Sequence, residues 1–326
     1  MTQKTYAAAL IEALYERMAR GPEVSVIGSY VLGLGPLRHL VNKIRDDFGD
    51  RVIDPPSSEA AVASLGIGAA MAGARPFIDL GTASFAFEAC SQIVNEAANA
   101  HYMSGGQISV PVVFHMLHGL RGGGAAQHSH SPQAMFWNCP GLEIVLPSTP
   151  YDVKGLLHTA IMSNNPTIVL DHASLMAIEQ DVPDEDYTIP FGRADIKRQG
   201  KDVTVVATSL MVQVVLQAAQ QLIAEGIDIE VVDPRTLVPL DQEAILASVR
   251  KTGRLVVVDE TFLSCGVASE IAAVVAEKGF ASLKAPILRV ARPDVPVAFS
   301  PVLEHCITPT VDKVVDAVRR LMLQMK

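Results

Sequence analysis

The chain has 326 residues, room for about two domains at ~150 residues each. Apolar residues make up 49% and charged residues 19%, which excludes a disordered, core-poor chain. The net charge of −9 with no basic block argues against a nucleic-acid partner, and apolar runs broken by Pro, Gly or charge before bilayer length argue against a membrane span.

Met1–Arg20 reads as an amphipathic helix, and its Glu12 and Glu16 are unlike a signal or transit peptide. Apolar β-branched runs then alternate with helical periods. Strands are expected at Glu23–Gly28, Arg75–Leu80, Val110–Met116, Leu142–Leu146 and Thr167–Asp171. Helices are expected at Leu37–Asp47, from Ser57 or Ser58 as N-cap through Ala72, at Phe85–His101 and at Tyr151–Ser163. The acidic run Glu179–Tyr187, with Pro183, reads as a structure-poor linker. After it the alternation restarts, with strands at Val203–Ala207, Ile227–Val232, Leu255–Asp259 and Pro286–Val290. The helices between and after them are Val212–Glu225, Asp241–Arg250, Ala268–Glu277 and Thr310–Leu323. This pattern predicts an α/β protein of two domains, each a mostly parallel sheet flanked by helices. The expected division is a first domain over 1–185, a linker and first crossover over 186–200, and a second domain over 201–326. Cys90, Cys139, Cys265 and Cys306 form no CxxC pair, which fits a reducing, cytoplasmic setting.

Several motifs fail on context. Gly66-Ile67-Gly68 lies inside a helical stretch rather than between strand and helix, so it is no dinucleotide fingerprint. His118, His128 and His130 lack a nearby carboxylate or Cys at metal-ligand spacing. Three stretches near the C-terminal ends of first-half strands, where open α/β sheets build their sites, are more informative. In Asp54-Pro-Pro-Ser-Ser-Glu59-Ala-Ala, Glu59 enters the first turn of an almost wholly apolar helix. It is either a carboxylate that satisfies the helix dipole or a buried carboxyl suited to general acid–base work. Phe85 and Phe87 open a helix and read as core aromatics or as a ligand platform. The glycines of Gly119–His130 allow a backbone to approach a ligand, or simply a flexible surface loop.

Taken together these stretches resemble a known family. Pro-x-Ser-Glu59-Ala, Phe85 ahead of Gln92-Ile-Val-Asn95, His101-Tyr-Met-Ser-Gly-Gly-Gln107, Ala126-Gln-His-Ser129 and Val145-x-Pro-Ser-Thr-Pro150 occur in one order. Ile189-Pro-Phe-Gly192, Asp233-Pro-Arg-Thr-Leu-x-Pro-Leu-Asp241 and Pro293-Asp-Val-Pro-Val297 follow. The whole is similar to the β subunit of the E1 component of thiamine-diphosphate-dependent 2-oxoacid dehydrogenases, of the pyruvate, branched-chain and acetoin types.

The resemblance implies a transketolase-like pair of domains and half of an active site. The residue matching Glu59 hydrogen-bonds the cofactor's pyrimidine nitrogen and so promotes loss of the thiazolium C2 proton. Phe85 matches the aromatic packed on the pyrimidine, and Glu88 lies one turn on as a further cofactor contact. His128 matches a histidine near the reacting carbonyl and the acyl acceptor. The diphosphate and its Mg²⁺ belong to an α subunit that carries a Gly-Asp-Gly signature; here Gly49-Asp50 is followed by Arg51. An α2β2 assembly, a lipoyl acyltransferase partner and a 2-oxoacid or acetoin-like substrate are implied. A K⁺ site is implied at Val112, Ala160, Ile161, Ser163 and Asn165, with Ser163 in place of the usual aspartate. Departures fall around the substrate and between sites: Ser29 and Tyr30 for a Glu-Asp pair, Ser91 for an acid, and His115-Met-Leu-His-Gly119 for Arg-Gly-Pro-Asn-Gly. Rival readings are a subunit of a split transketolase-like enzyme and a non-catalytic scaffold docking an acyltransferase core; the presence of Glu59 speaks against the scaffold.

Overall fold

The computed structural model describes residues 1–28 and 38–323 and divides into two compact units. The first comprises Met1–His118 and Met135–Phe191, the second Gly119–Ala134 and Gly192–Lys326. Ser29 and Tyr30 lie outside the described residues.

In chain order the first unit runs β1 (Thr2–Thr5), α1 (Tyr6–Arg20), β2 (Val24–Ile27), α2 (Arg38–Phe48), β3 (Val52–Ile53), α3 (Glu59–Met71), β4 (Arg75–Thr82) and α4 (Ala98–Met103). It continues with β5 (Val113–His118), a short α5 (Gln133–Trp137), β6 (Glu143–Val145), α6 (Pro150–Met162), β7 (Thr167–His172) and β8 (Glu179–Val182). Strands β6, β7, β5, β4, β2 and β3 lie side by side in that order, all parallel. The central strands β4, β5 and β7 are buried along nearly their whole length, which is why they read as mainly apolar runs, interrupted by Asp79, His115 and Asp171. Pro150 at the first turn and Thr149, whose Oγ1 accepts from Asp152 N–H at 3.1 Å, start α6 where the sequence placed it.

Three expectations are corrected here. The helix foreseen from Met1 begins only at Tyr6, because Thr2–Thr5 pairs antiparallel with Glu179–Val182. The same ribbon takes the first four residues of the segment Glu179–Tyr187 foreseen as a structure-poor linker, and the remainder is irregular. Val182 is buried while Glu179, Gln180 and Asp181 face out, and Asp184, Glu185 and Asp186 follow the strand in irregular chain. The single helix foreseen over Phe85–His101 is broken into a 3₁₀ turn at Ala83–Phe87, a π-helical turn at Gln92–Ala97, and α4. Its apolar period continues across these breaks, so periodicity could not reveal them.

The second unit contains β9 (Asp195–Arg198), β10 (Val203–Ala207), α7 (Leu210–Ala224), β11 (Ile229–Asp233), β12 (Thr236–Val238), α8 (Gln242–Thr252), β13 (Leu255–Phe262), α9 (Val267–Lys278), β14 (Leu288–Arg292), α10 (Pro301–Ile307) and α11 (Val311–Leu323). Its sheet has the order β14–β13–β10–β11–β9, parallel except for the edge strand β9. Val205, Val231, Val256 and Val258 of the sheet pack on Val212, Val215 and Leu222 of α7 and on Val314 and Val318 of α11. The helix α8 starts at Asp241, whose Oδ1 accepts from Ala244 N–H at 3.1 Å, and stops at Gly253 with φ 75°.

Candidate active site

Glu59 is the first helical residue of α3, after Ser58, which takes the extended cap conformation without a side-chain cap bond. It is half-buried and lines a pocket with Gly28, Asp54, Pro55, Ser58, Val62, Asp79 and Leu80. Gly28 closes this pocket at the end of β2: its φ is 82°, and a Cβ there would meet Asp79 O at 2.5 Å. Gly66, rejected as a nucleotide motif, allows α3 to press on the sheet, since a Cβ would meet Ile78 Cδ1 at 2.2 Å. The Glu59 carboxyl stands at a helix start beside apolar Val62 and Leu80, with the Asp54 and Asp79 side chains also on the pocket. A carboxyl so placed matches the hydrogen-bonding chemistry of an aminopyrimidine nitrogen, while the cavity beside it measures only about 20 Å³. Phe85 is half-buried in the turn that follows β4, while Glu88, one residue beyond that turn, is exposed. Ser91 Oγ accepts from Asn95 Nδ2 at 3.4 Å.

Behind the pocket lies a buried charged chain that the sequence did not single out. Asp79 Oδ1 accepts from Gly81 N–H (3.0 Å) and faces His115 Nδ1 at 3.4 Å. His115 Nε2 sits 2.8 Å from Asp171 Oδ2, and the Tyr6 hydroxyl donates to Asp171 Oδ1. Burial pushes the His115 imidazole down, but the carboxylates of Asp171 and Asp79 outweigh it and lift it to about 9. The two carboxylates thus favour the imidazolium form of His115, whose ring stacks on Phe77 at 5.1 Å. Beside it His118 meets His172 edge-on at 5.3 Å, both buried.

His128 lies in the second unit, exposed, at the end of a one-turn 3₁₀ helix Ala126–His128. The next residues, Ser129 and His130, line a cavity of about 520 Å³ with Phe262, Asp294, Val295 and Val297. Burial, and then the Arg292 charge, hold His130 below the usual imidazole range. Arg292 is itself fully buried, over the Phe262 ring at 4.7 Å.

The residues proposed for K⁺ form a corner that is already hydrogen-bonded. Arg75 Nη1 donates to Ile161 O (3.0 Å) and Ser163 O (2.8 Å), Thr167 N–H to Val112 O (2.9 Å), and Ser163 N–H to Ala160 O (3.2 Å). Asn165 Nδ2 is spent on Glu143 at 3.1 Å. A K⁺ ion there would compete with a guanidinium for two of its carbonyls, so these residues fit the ion poorly. Among the described residues, Glu16, His158 and Asp186 do have metal-ligand spacing. Lys154 on Glu16 (3.0 Å) and Arg17 on Asp186 (3.0 Å) already supply their counter-charge. The histidines weighed in the sequence, His118, His128 and His130, are not part of that group.

The model of the transketolase pyrimidine-binding domain matches residues 2–177, and that of the transketolase C-terminal domain matches 192–314. The chain is 43% identical to the β subunit of the acetoin:2,6-dichlorophenolindophenol oxidoreductase of Cupriavidus necator, over 96% of both chains. It is 41% identical to the 2-oxoisovalerate dehydrogenase β subunit of Bacillus subtilis, over 98% of this chain and 99% of that one. The pyruvate dehydrogenase E1 component β subunit of Rickettsia felis matches at 42%, over 98% of each. Among solved structures a split-gene transketolase, an inactive β4 tetramer, superposes with a TM-score of 0.79 at 24% identity over 98% of each chain, a likeness of fold. The chain belongs to the family of dehydrogenase E1-component β subunits, thiamine-diphosphate-dependent and built from a transketolase pyrimidine-binding domain followed by a transketolase C-terminal domain.

Proposed function

We propose that this chain supplies the proton-handling half of a thiamine-diphosphate active site in an α2β2 dehydrogenase component. The reaction proposed is decarboxylation or carbon–carbon cleavage of a 2-oxoacid or acetoin-like substrate, with acyl transfer to the lipoyl group of an acyltransferase partner. Bound thiamine diphosphate supplies a carbon acid that becomes a nucleophile. Glu59 holds the pyrimidine and moves a proton at its Oε, with Phe85 packing the ring and Glu88 at the rim. His128 acts on the reacting oxygen and in the transfer step. The observation that carries the reading is Glu59, half-buried at the start of α3 on a small pocket that Val62 and Leu80 line together with Asp54 and Asp79.

The diphosphate and Mg²⁺ are assigned to the α subunit. The nearest sequence to a Gly-Asp-Gly signature, Gly49-Asp50-Arg51, forms a single 3₁₀ turn. Arg51 there donates to the carbonyls of Gly21 (2.8 Å), Val24 (3.1 Å) and Met18 (2.8 Å), so it is a structural clamp on the end of α1 and not a phosphate cradle. The expected result follows directly. Calorimetric titration of thiamine diphosphate and Mg²⁺ into this chain alone gives no tight binding, and the same titration into the coexpressed α/β pair does. Micromolar binding by the isolated chain would overturn the half-site reading. Turnover of the pair against 2-oxoacids, acetoin and sugar phosphates then separates a dehydrogenase component from a split transketolase. No helix among the described residues is long and apolar enough to cross a membrane.

A further inference from the structure

The segment that carries His128 belongs, from Gly119 to Ala134, to the second unit. It closes on itself where Gly119 N–H donates to His130 O at 3.1 Å. It is wound tightly: a Cβ on Gly124 would meet Ser129 Oγ at 2.6 Å, and Ala125 sits at φ 52°. Between its ends there is only the one 3₁₀ turn, so most of its backbone groups need partners from elsewhere. Three charged side chains with little or no exposure provide them. Glu260 on β13 accepts from Leu120 N–H at 2.8 Å. The two oxygens of Glu304 on α10 accept from Gly122 N–H (2.8 Å) and Gly123 N–H (2.9 Å). Arg292 on β14 donates from Nη1 to Ser129 O at 2.9 Å.

Gly122 and Gly123 have φ of 74° and 95°, and their successive N–H groups converge on one carboxylate. Such a concavity is an anion nest, and here the chain fills it with its own Glu304. Burying charge is costly unless each charge is paired or hydrogen-bonded. None of the three side chains takes part in the chemistry proposed above, so their burial calls for another use. That use is visible in their partners: backbone N–H groups ahead of His128 and a backbone carbonyl just after it.

We infer that Glu304, assisted by Glu260 and Arg292, is a positioning residue that straps the His128 loop into one conformation before cofactor or partner arrives. The inference rests on the reading of His128 as the transfer-step group. It separates the two halves of the chemistry: the strap governs the step that needs His128 and leaves Glu59, on the first unit, untouched.

The test uses the α/β holoenzyme with Glu304→Gln and Glu304→Asp. Glutamine turns one acceptor into an NH₂ donor facing a glycine N–H and removes the charge that makes these bonds strong. Hydrogen exchange of the peptide spanning Gly119–His130 is expected to quicken at Gly122 and Gly123 by about tenfold or more. Acyl transfer to free lipoamide is expected to fall by about 10- to 100-fold, the scale on which small misplacements act. Exchange of the cofactor C2 proton stays within about twofold of wild type, because a proton held by Glu59 owes nothing to the strap. Glu304→Asp, which keeps the charge on a shorter arm, falls between. Wild-type loop exchange and transfer in Glu304→Gln would overturn the inference. So would parallel loss of C2 exchange and transfer, which would make Glu304 a general structural residue. Should Glu304→Gln fail to fold, the wild-type enzyme decides: Gly122 and Gly123 amides exchanging at free-peptide rates refute the strap, and protected amides sustain it. A wild-type pair with no C2 exchange would instead sink the thiamine reading, with the amide measurement still standing.

Discussion

In the assembled α/β enzyme, Glu59→Gln is expected to lose about 10²- to 10⁴-fold in turnover, the usual contribution of a positioned acid–base group. Glutamine lacks a proton that can be gained and released at the side-chain oxygen. An amide Oε can accept a hydrogen bond from a ring N–H, and an amide Nε can donate one, but neither gains and releases a proton between those states. The pocket is expected to keep its shape, because glutamine has the size and shape of glutamate and the cap residue Ser58 makes no side-chain bond that the change could disturb. Circular dichroism and thermal unfolding are therefore expected to match wild type within the small range of a surface change. The decisive measurement is the rate of cofactor C2–H/D exchange in the reconstituted enzyme. A mutant that exchanges at the wild-type rate would reduce Glu59 to a carboxylate that satisfies the dipole of its helix.

That Glu59 could be singled out as a candidate reflects what kind of information a sequence carries. The strands β4, β5, β7, β10, β11 and β13 are runs of buried β-branched and apolar residues, and burial on both faces leaves that trace in composition. Glu59 stands out because a carboxyl at the head of an apolar helix breaks such a pattern. Features made by long-range pairing leave no local trace. The β1–β8 ribbon joins two polar stretches from distant parts of the chain, and each alone looks like a helix start or a linker. Glu260, Glu304 and Arg292 sit in ordinary elements, and their role depends on a glycine loop far from them in sequence. The Phe85–His101 segment shows a third limit: a π-helical turn preserves the apolar rhythm of an α-helix while redirecting the chain. At the K⁺ corner the positions proposed from the resemblance are real neighbours of one another, yet Arg75 reaches two of their carbonyls from another element. His115 was visible only as a departure, because its meaning lies in two aspartates on the strands to either side.

Those aspartates make stability depend on pH in a direction opposite to the usual carboxylate case. His115 is fully buried, and its imidazole is raised from 6.5 to about 9. The folded chain therefore holds a proton that the unfolded chain releases between those values. The stabilisation it gives is fully present below about pH 6.5 and is lost as pH rises through about 9. At 1.36 kcal/mol per pH unit the shift corresponds to about 3 kcal/mol. Lysines and tyrosines titrate in the same range, so the comparison must be a difference. Urea unfolding of wild type and His115→Asn across pH 6 to 10 is expected to show a wild-type stability that falls by about 3 kcal/mol more than the variant's over that range. At pH 6 the variant itself should be less stable by about 3–5 kcal/mol, since removing the imidazolium leaves Asp79 and Asp171 buried on either side of β5 without their shared cation. Asp171→Asn gives the complementary result: the imidazole loses the partner at 2.8 Å, its pH of deprotonation drops, and the fall in stability moves to lower pH. Parallel pH profiles for wild type and His115→Asn would show that the ring is neutral in the fold, with each nitrogen's hydrogen bond made by one tautomer and the charge on the aspartates balanced by other groups.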